Sequence, residues 1–187
     1  MIIEDGMGSG KIAGVSGEQR LLTEAITIRK ISSVSHEQGK SYSVYFKHAM
    51  VAAATDEFMG YMVNTGSSNI ILSQCIAVTT LTAGVGVVEL MFASSYTSGG
   101  NVVTPLNLNR NSTNVLNATC YAANATPIVG TIGSAEFVCL RVSKETPSYT
   151  VDFQDSVVLG PGKTIGIQVK SPTIADAIRV IIHCYED

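Results

Sequence analysis

The 187-residue sequence contains no tryptophan, and its aromatic residues amount to only 6%. Clefts that grip sugars by stacking lean on aromatic platforms, so this scarcity counts against a glycosidase or a lectin of that kind. Charge is also scarce. Asp, Glu, Lys and Arg make up 14%, against about 25% in an average soluble domain. The net charge of −3 leaves no surplus of clustered Lys and Arg. A protein held to nucleic acid by phosphate attraction needs such a surplus, so no nucleic-acid partner is expected. Long apolar runs are missing as well. The stretch Val85 to Phe92 is interrupted by Gly86 and Glu89 and falls far short of the ~20 residues that span a bilayer. No membrane partner is expected. The start, Met1 to Lys11, carries Glu4 and Asp5 where a secretory signal would carry basic residues, and the expected place of synthesis is a cytoplasm.

Metal and redox motifs are equally absent. Cys75, Cys120, Cys139 and Cys184 form no C-x-x-C pair, so a zinc ribbon or a dithiol motif has no basis. In a reducing compartment all four read as small buried hydrophobes, with a late disulfide as the alternative. His36, His48 and His183 make no H-x-H or H-x-x-x-H pair, which leaves a cupin-type metal site without its ligand set. His183, between Ile182 and Cys184, reads as a packed or surface residue of the last strand. Gly6 to Lys11 evokes a phosphate loop. However, Asp5 and Ile12 stand where that loop needs Gly and Ser or Thr. The acids of the β region lie in no motif for paired-carboxylate chemistry. No catalytic, cofactor-binding or metal-binding residue is assigned, no cofactor is expected, and the chain does not read as an enzyme.

What the sequence does hold is β signal and neutral polarity. Residues 1–40 carry ten of the 27 charged side chains and open with Gly6, Gly8, Gly10, Gly14 and Gly17. They read as an extended N-terminal arm ending in one short element at Leu21 to Ile31. Residues 41–187 read as the β domain. Tyr42, Val44 and Phe46 alternate with Ser43, Tyr45 and Lys47, the period of a half-buried strand. Further runs occupy Glu57 to Val63, Ser68 to Thr80, Gly86 to Ser94 and Val102 to Asn109, the last after a loop at Ser98 to Asn101. Others are Ala118 to Tyr121, Glu136 to Val142, Tyr149 to Phe153, Thr164 to Lys170 and Arg179 to Tyr185. They carry β-branched and aromatic residues, and several end at Gly, Pro, Asn or Ser. The only short helix candidate in this domain is Ala49 to Thr55. Many short strands with closely spaced turns give an all-β fold, an antiparallel sandwich or barrel.

Between residues 64 and 135 the only charges are Glu89 and Arg110. A surface so poor in charge is either core or covered by another subunit, because interface centres shed charged residues. The sequons at Asn111, Asn117 and Asn124 make this region rich in neutral hydrogen-bonding groups, suited to close contacts that bury no charge.

Several patches carry a family resemblance. Met1-Ile2-Ile3-Glu4-Asp5-Gly6, then Gly8-Ser9-Gly10-Lys11, Ala13-Gly14-Val15 and Arg20-Leu21, resemble the N-terminus of small virion proteins of tailed bacteriophages. Thr104 to Ser112, the stretch Leu159 to Thr164 leading to Ile167 and Val169, and the close Tyr185-Glu186-Asp187 are similar to the same group. These are capsid decoration (cement) or head-fibre proteins. The resemblance implies a jelly-roll-like sandwich, commonly a homotrimer, attached to the major capsid protein on the outside of the shell. It implies a virion location after synthesis in the bacterial host. It carries over no catalytic residue.

A cement protein needs a rigid β scaffold, charge-poor contact surfaces and an arm that orders on its neighbours. Lys11, Arg20, Arg29, Lys30 and Arg110 are the candidate capsid or intersubunit contacts. The first four would meet acidic patches, and Arg110 would be a buried or intersubunit hydrogen-bond anchor or else a plain surface residue. The alternative expectation is a head or tail fibre component that binds the host surface.

Overall fold

The computed structural model describes residues 38–52, 54–81, 83–124, 126–173 and 177–187, together with the backbone of two short strands before them. Those strands, β1 (Ile2–Glu4) and β2 (Ile12–Gly14), pair antiparallel with each other. Apart from residues 38–40, the rest of the expected arm lies outside the described residues, including the element at Leu21 to Ile31.

The sandwich begins with β3 (Ser41–Ala49), β4 (Asp56–Asn64), β5 (Ile70–Thr79) and β6 (Val85–Phe92). Five shorter strands follow: β7 (Ser95–Gly99), β8 (Asn101–Val102), β9 (Leu106–Asn107), β10 (Ala118–Ala122) and β11 (Ile128–Thr131). Four long strands close it: β12 (Ala135–Ser143), β13 (Ser148–Leu159), β14 (Thr164–Lys170) and β15 (Ala177–Glu186). Sheet I has the order β12-β6-β14-β4-β10-β8, and sheet II the order β13-β5-β15-β3-β9.

The long strands pair in a nested way. β3 joins β15, β4 joins β14, β5 joins β13 and β6 joins β12, all antiparallel. Within the sheets β15 also joins β5, and β14 joins β6. A long hairpin folded over on itself produces this pattern, which is jelly-roll connectivity. The fold is thus an all-β, jelly-roll-like antiparallel sandwich.

Its core follows the period of two. In β3, Tyr42, Val44 and Phe46 are fully buried while Ser43, Tyr45 and Lys47 face outward. They meet Met59, Met62, Leu90, Ile165 and Ile167 of sheet I. Phe46 lies so close to β4 that a Cβ on Gly60 would sit 2.7 Å from its ring. The expected turn at Gly160-Pro161-Gly162 is present: Lys163 N donates to Gly160 O at 3.0 Å, with Gly162 at φ 69°. Pro presets the second position and glycine supplies the positive φ at the third.

Three expectations are corrected. Ala49 to Thr55 is not a helix: Ala49 ends β3, and a turn follows with Ala54 at φ 55°. Ser98 to Asn101 is not an open loop, since β7 runs through Gly99 and β8 starts at Asn101. Cys139 is exposed, whereas Cys75, Cys120 and Cys184 are buried. Val138, Leu140 and Val142 take the inward positions of β12, so alternation sends Cys139 outward, opposite Glu89.

The ribbon β7–β11 forms a small extra layer on the outer face of sheet I. Tyr61 of β4, Ala123 and Ile128 form its buried contact, with Phe58, Tyr96 and Tyr121 packed around them. Tyr96 stacks on Tyr121 at a centroid distance of 4.1 Å, and on Tyr61 at 5.5 Å.

Candidate interaction surface

One edge strand of each sheet, β8 and β9, is two residues long, and the two lie in consecutive chain, joined by Val103-Thr104-Pro105. Edges this short expose little unpaired backbone. What they expose, with the segment before β10, is apolar side chain. Val102 is 72% exposed, Leu106 61% and Val115 74%. Val102, Pro105 and Val115 line a shallow groove of about 250 Å³ with Leu116 and Cys120 at its buried side. Arg110 is the sole charged residue between Asn101 and Thr119. Scattered surface apolar residues are ordinary, but Val102 and Val115 line one groove, so their exposed apolar surface is contiguous.

The adjoining loop explains its many asparagines. Asn107 Nδ2 donates to Gly39 O at 2.7 Å and to Asn114 O at 2.9 Å. Ser112 Oγ donates to Gly39 O at 3.1 Å, and Asn114 Nδ2 to Gln38 O at 2.8 Å. Asn107 and Asn109 side chains also accept from the amides two residues on, the turn-forming habit of Asn. The neutral hydrogen bonds expected of this region are therefore made within the chain, and they clamp residues 38–39 at the root of the N-terminal segment.

Of the five candidate contact residues, Lys11, Arg20, Arg29 and Lys30 lie outside the described residues. Arg110 is exposed, on the turn after β9, so a buried anchoring role within the chain is excluded.

Two polar constellations escaped sequence reasoning. His48 takes the inward position after Phe46 and is 3% exposed. Its Nε2 is bonded to Glu57, and Nδ1 lies 2.5 Å from Ala123 O. A carbonyl can only accept, so Nδ1 carries a hydrogen, and both ring nitrogens are committed. Glu57 also accepts from Val51 N at 2.9 Å and Ala52 N at 2.6 Å. A half-open cavity of about 310 Å³ adjoins this pair. With both nitrogens occupied, the ring has none left to act as a base; the pair ties the β3–β4 turn to Ala123, just past β10. The alternation Tyr42-Val44-Phe46-His48 was the available signal.

The second constellation crosses the outer face of sheet II. Asp152, Gln74 and His183 stand directly opposite one another on β13, β5 and β15. No sequence signal unites residues so far apart. His183 is half-buried, between the packed and the surface setting expected of it, and burial holds its ring below the usual histidine range.

Among the described residues no group of three or more His, Cys, Asp or Glu is placed to hold a metal ion, and no helix is long and apolar enough to cross a membrane. No protein-family model matches the chain, and no curated protein is significantly similar to it.

Proposed function

We propose that the chain is a virion structural protein of the capsid decoration type, which self-associates as a homotrimer and binds the major capsid protein on the outer shell. The observation that carries the self-association is the uncharged edge at Val102, Leu106 and Val115, exposed in the single chain. Apolar surface of this kind is stabilised when a second copy covers it, at roughly 25 cal/mol per Å² of apolar area removed from water. The jelly-roll-like sandwich supports the reading by supplying a rigid body on which the edge and the root of the N-terminal segment lie side by side. The basic residues Lys11, Arg20, Arg29 and Lys30 are assigned to the capsid, and Arg110 to the intersubunit contact.

The deciding experiment compares phage particles with and without the protein. Particles lacking it should release their genome at a lower temperature, and added protein should restore them. Equal heat stability of the two populations would remove the stabilising role.

A further inference from the structure

We propose that the row Asp152, Gln74 and His183 on the outer face of sheet II is a binding site for a neutral sugar ring. The three side chains sit in register on adjacent strands, spaced by about 4.8 Å per strand. They line a cavity of about 340 Å³ together with Ser41 and Leu108, at the small end of the range of ligand sites, roughly 300–1,000 Å³.

Three features mark this as a built site. Ser41 lines the cavity and is 5% exposed, yet its Oγ has no hydrogen-bond partner among the described residues. Buried hydroxyls are nearly always satisfied, so an orphan beside a cavity points to a missing partner. Next to the row, β13 bulges away from β5 between Asp152 and Val157. Gln154 and Asp155 there adopt φ 49° and 60°, a conformation that costs L residues energy and gathers at functional sites. The Asp152 carboxylate is fixed by this bulge, because Oδ1 accepts Gln154 N at 2.8 Å. The third feature is that the Gln74 amide and the His183 ring make no hydrogen bond among the described residues, although each offers both a donor and an acceptor.

The chemistry of the row selects the ligand. Burial holds the His183 ring below its usual range, which favours its neutral form, and Asp152 is the one carboxylate among the described residues that line the cavity. An anion is repelled by Asp152. An ammonium would suit Asp152 but can only donate, leaving the Gln74 and His183 donors unused. Hydroxyls both donate and accept, and successive hydroxyls along one edge of a sugar meet the carboxylate, the amide and the imidazole in turn. Leu108, 46% exposed, offers an apolar wall for the ring's C–H face. Without an aromatic platform, binding of one ring is weak, and arrayed copies would raise it by avidity. The site does not depend on capsid attachment, so either reading can fail alone.

The test is a two-dimensional NMR titration of the isotope-labelled full chain with glucose, galactose, mannose and N-acetylglucosamine, alongside sialic acid and ethanolamine. At least one neutral sugar should shift the Gln74 side-chain amide and the His183 ring. Gln74→Ala and Asp152→Asn should each weaken that response about tenfold or more. Both positions face outward, and Asn retains the Oδ1 that holds Gln154, so unchanged near-ultraviolet circular dichroism will verify the fold. The proposal is overturned if no neutral sugar shifts these groups. It is likewise overturned if only sialic acid or ethanolamine does, or if the variants bind as the parent does.

Discussion

His48 and Glu57 belong to strands in different sheets, and their side chains are joined ring to carboxylate across the turn between β3 and β4. The same carboxylate caps the amides of Val51 and Ala52, and the same ring reaches Ala123 O beyond β10. One acid therefore organises a corner of the sandwich.

Replacing that acid should show how much. Glu57→Ala strands the buried His48 nitrogen and two amides, which costs about 1–3 kcal/mol for the buried group alone. Urea denaturation should show the loss, and hydrogen exchange should speed up at Val51 and Ala52. Unchanged stability would mean that the corner is held by packing instead.

Charge placed on the apolar edge should abolish self-association without unfolding the chain. Val102 and Val115 are more than two-thirds exposed, so Val102→Lys and Val115→Lys disturb no core. Light scattering should report a monomer for the double variant and an oligomer for the parent, with identical far-ultraviolet spectra.

The β7–β11 ribbon tolerates no side chain at Gly99. That residue has φ 79°, and a Cβ there would lie 2.0 Å from Pro127 O. Gly99→Ala must displace the ribbon, costing more than the roughly 0.4–1 kcal/mol scale of ordinary Gly–Ala exchanges. A lower melting temperature should accompany a change in the near-ultraviolet signal of the stack Tyr61, Tyr96 and Tyr121.

Alkaline pH should unfold the protein through its buried weak acids. Burial pushes the Cys75 and Cys120 thiols up to about 12. Tyr42 is also pushed up to about 12, by burial first and then by Glu186 and Cys184. The unfolded chain releases these protons near the ordinary values of 9 and 10, while the native chain retains them. The native state then binds more protons, and stability falls as pH rises. The melting temperature should hold steady from these groups up to about pH 8 and decline between pH 9 and 12. Thiol reagents should label only Cys139 in the native state. Even there the rate should trail a free cysteine, because partial burial, Glu136 and Glu89 raise its thiol.

Much of the scaffold was legible because its signals are local. β14 spans the very residues that the run Thr164 to Lys170 marked, and Gly160-Pro161-Gly162 specified its turn. β7 and β11 were not legible, since Ser95–Gly99 is too polar and Ile128–Thr131 too short to show a period. Alternation alone marks Cys139 as outward in the middle of β12 and His48 as inward near the end of β3. The edge patch was half legible: its missing charge shows in composition, its grouping only in space.

Period-two alternation and turn chemistry act between near neighbours, so the sequence alone determined an all-β chain, most of its strands and the positions of its charge-poor middle. The nested pairing of β3 with β15 through β6 with β12, and the meeting of Asp152, Gln74 and His183, were decided only by tertiary structure. Partners so distant in the chain choose one another through the whole core that they jointly bury, and no local pattern records that choice.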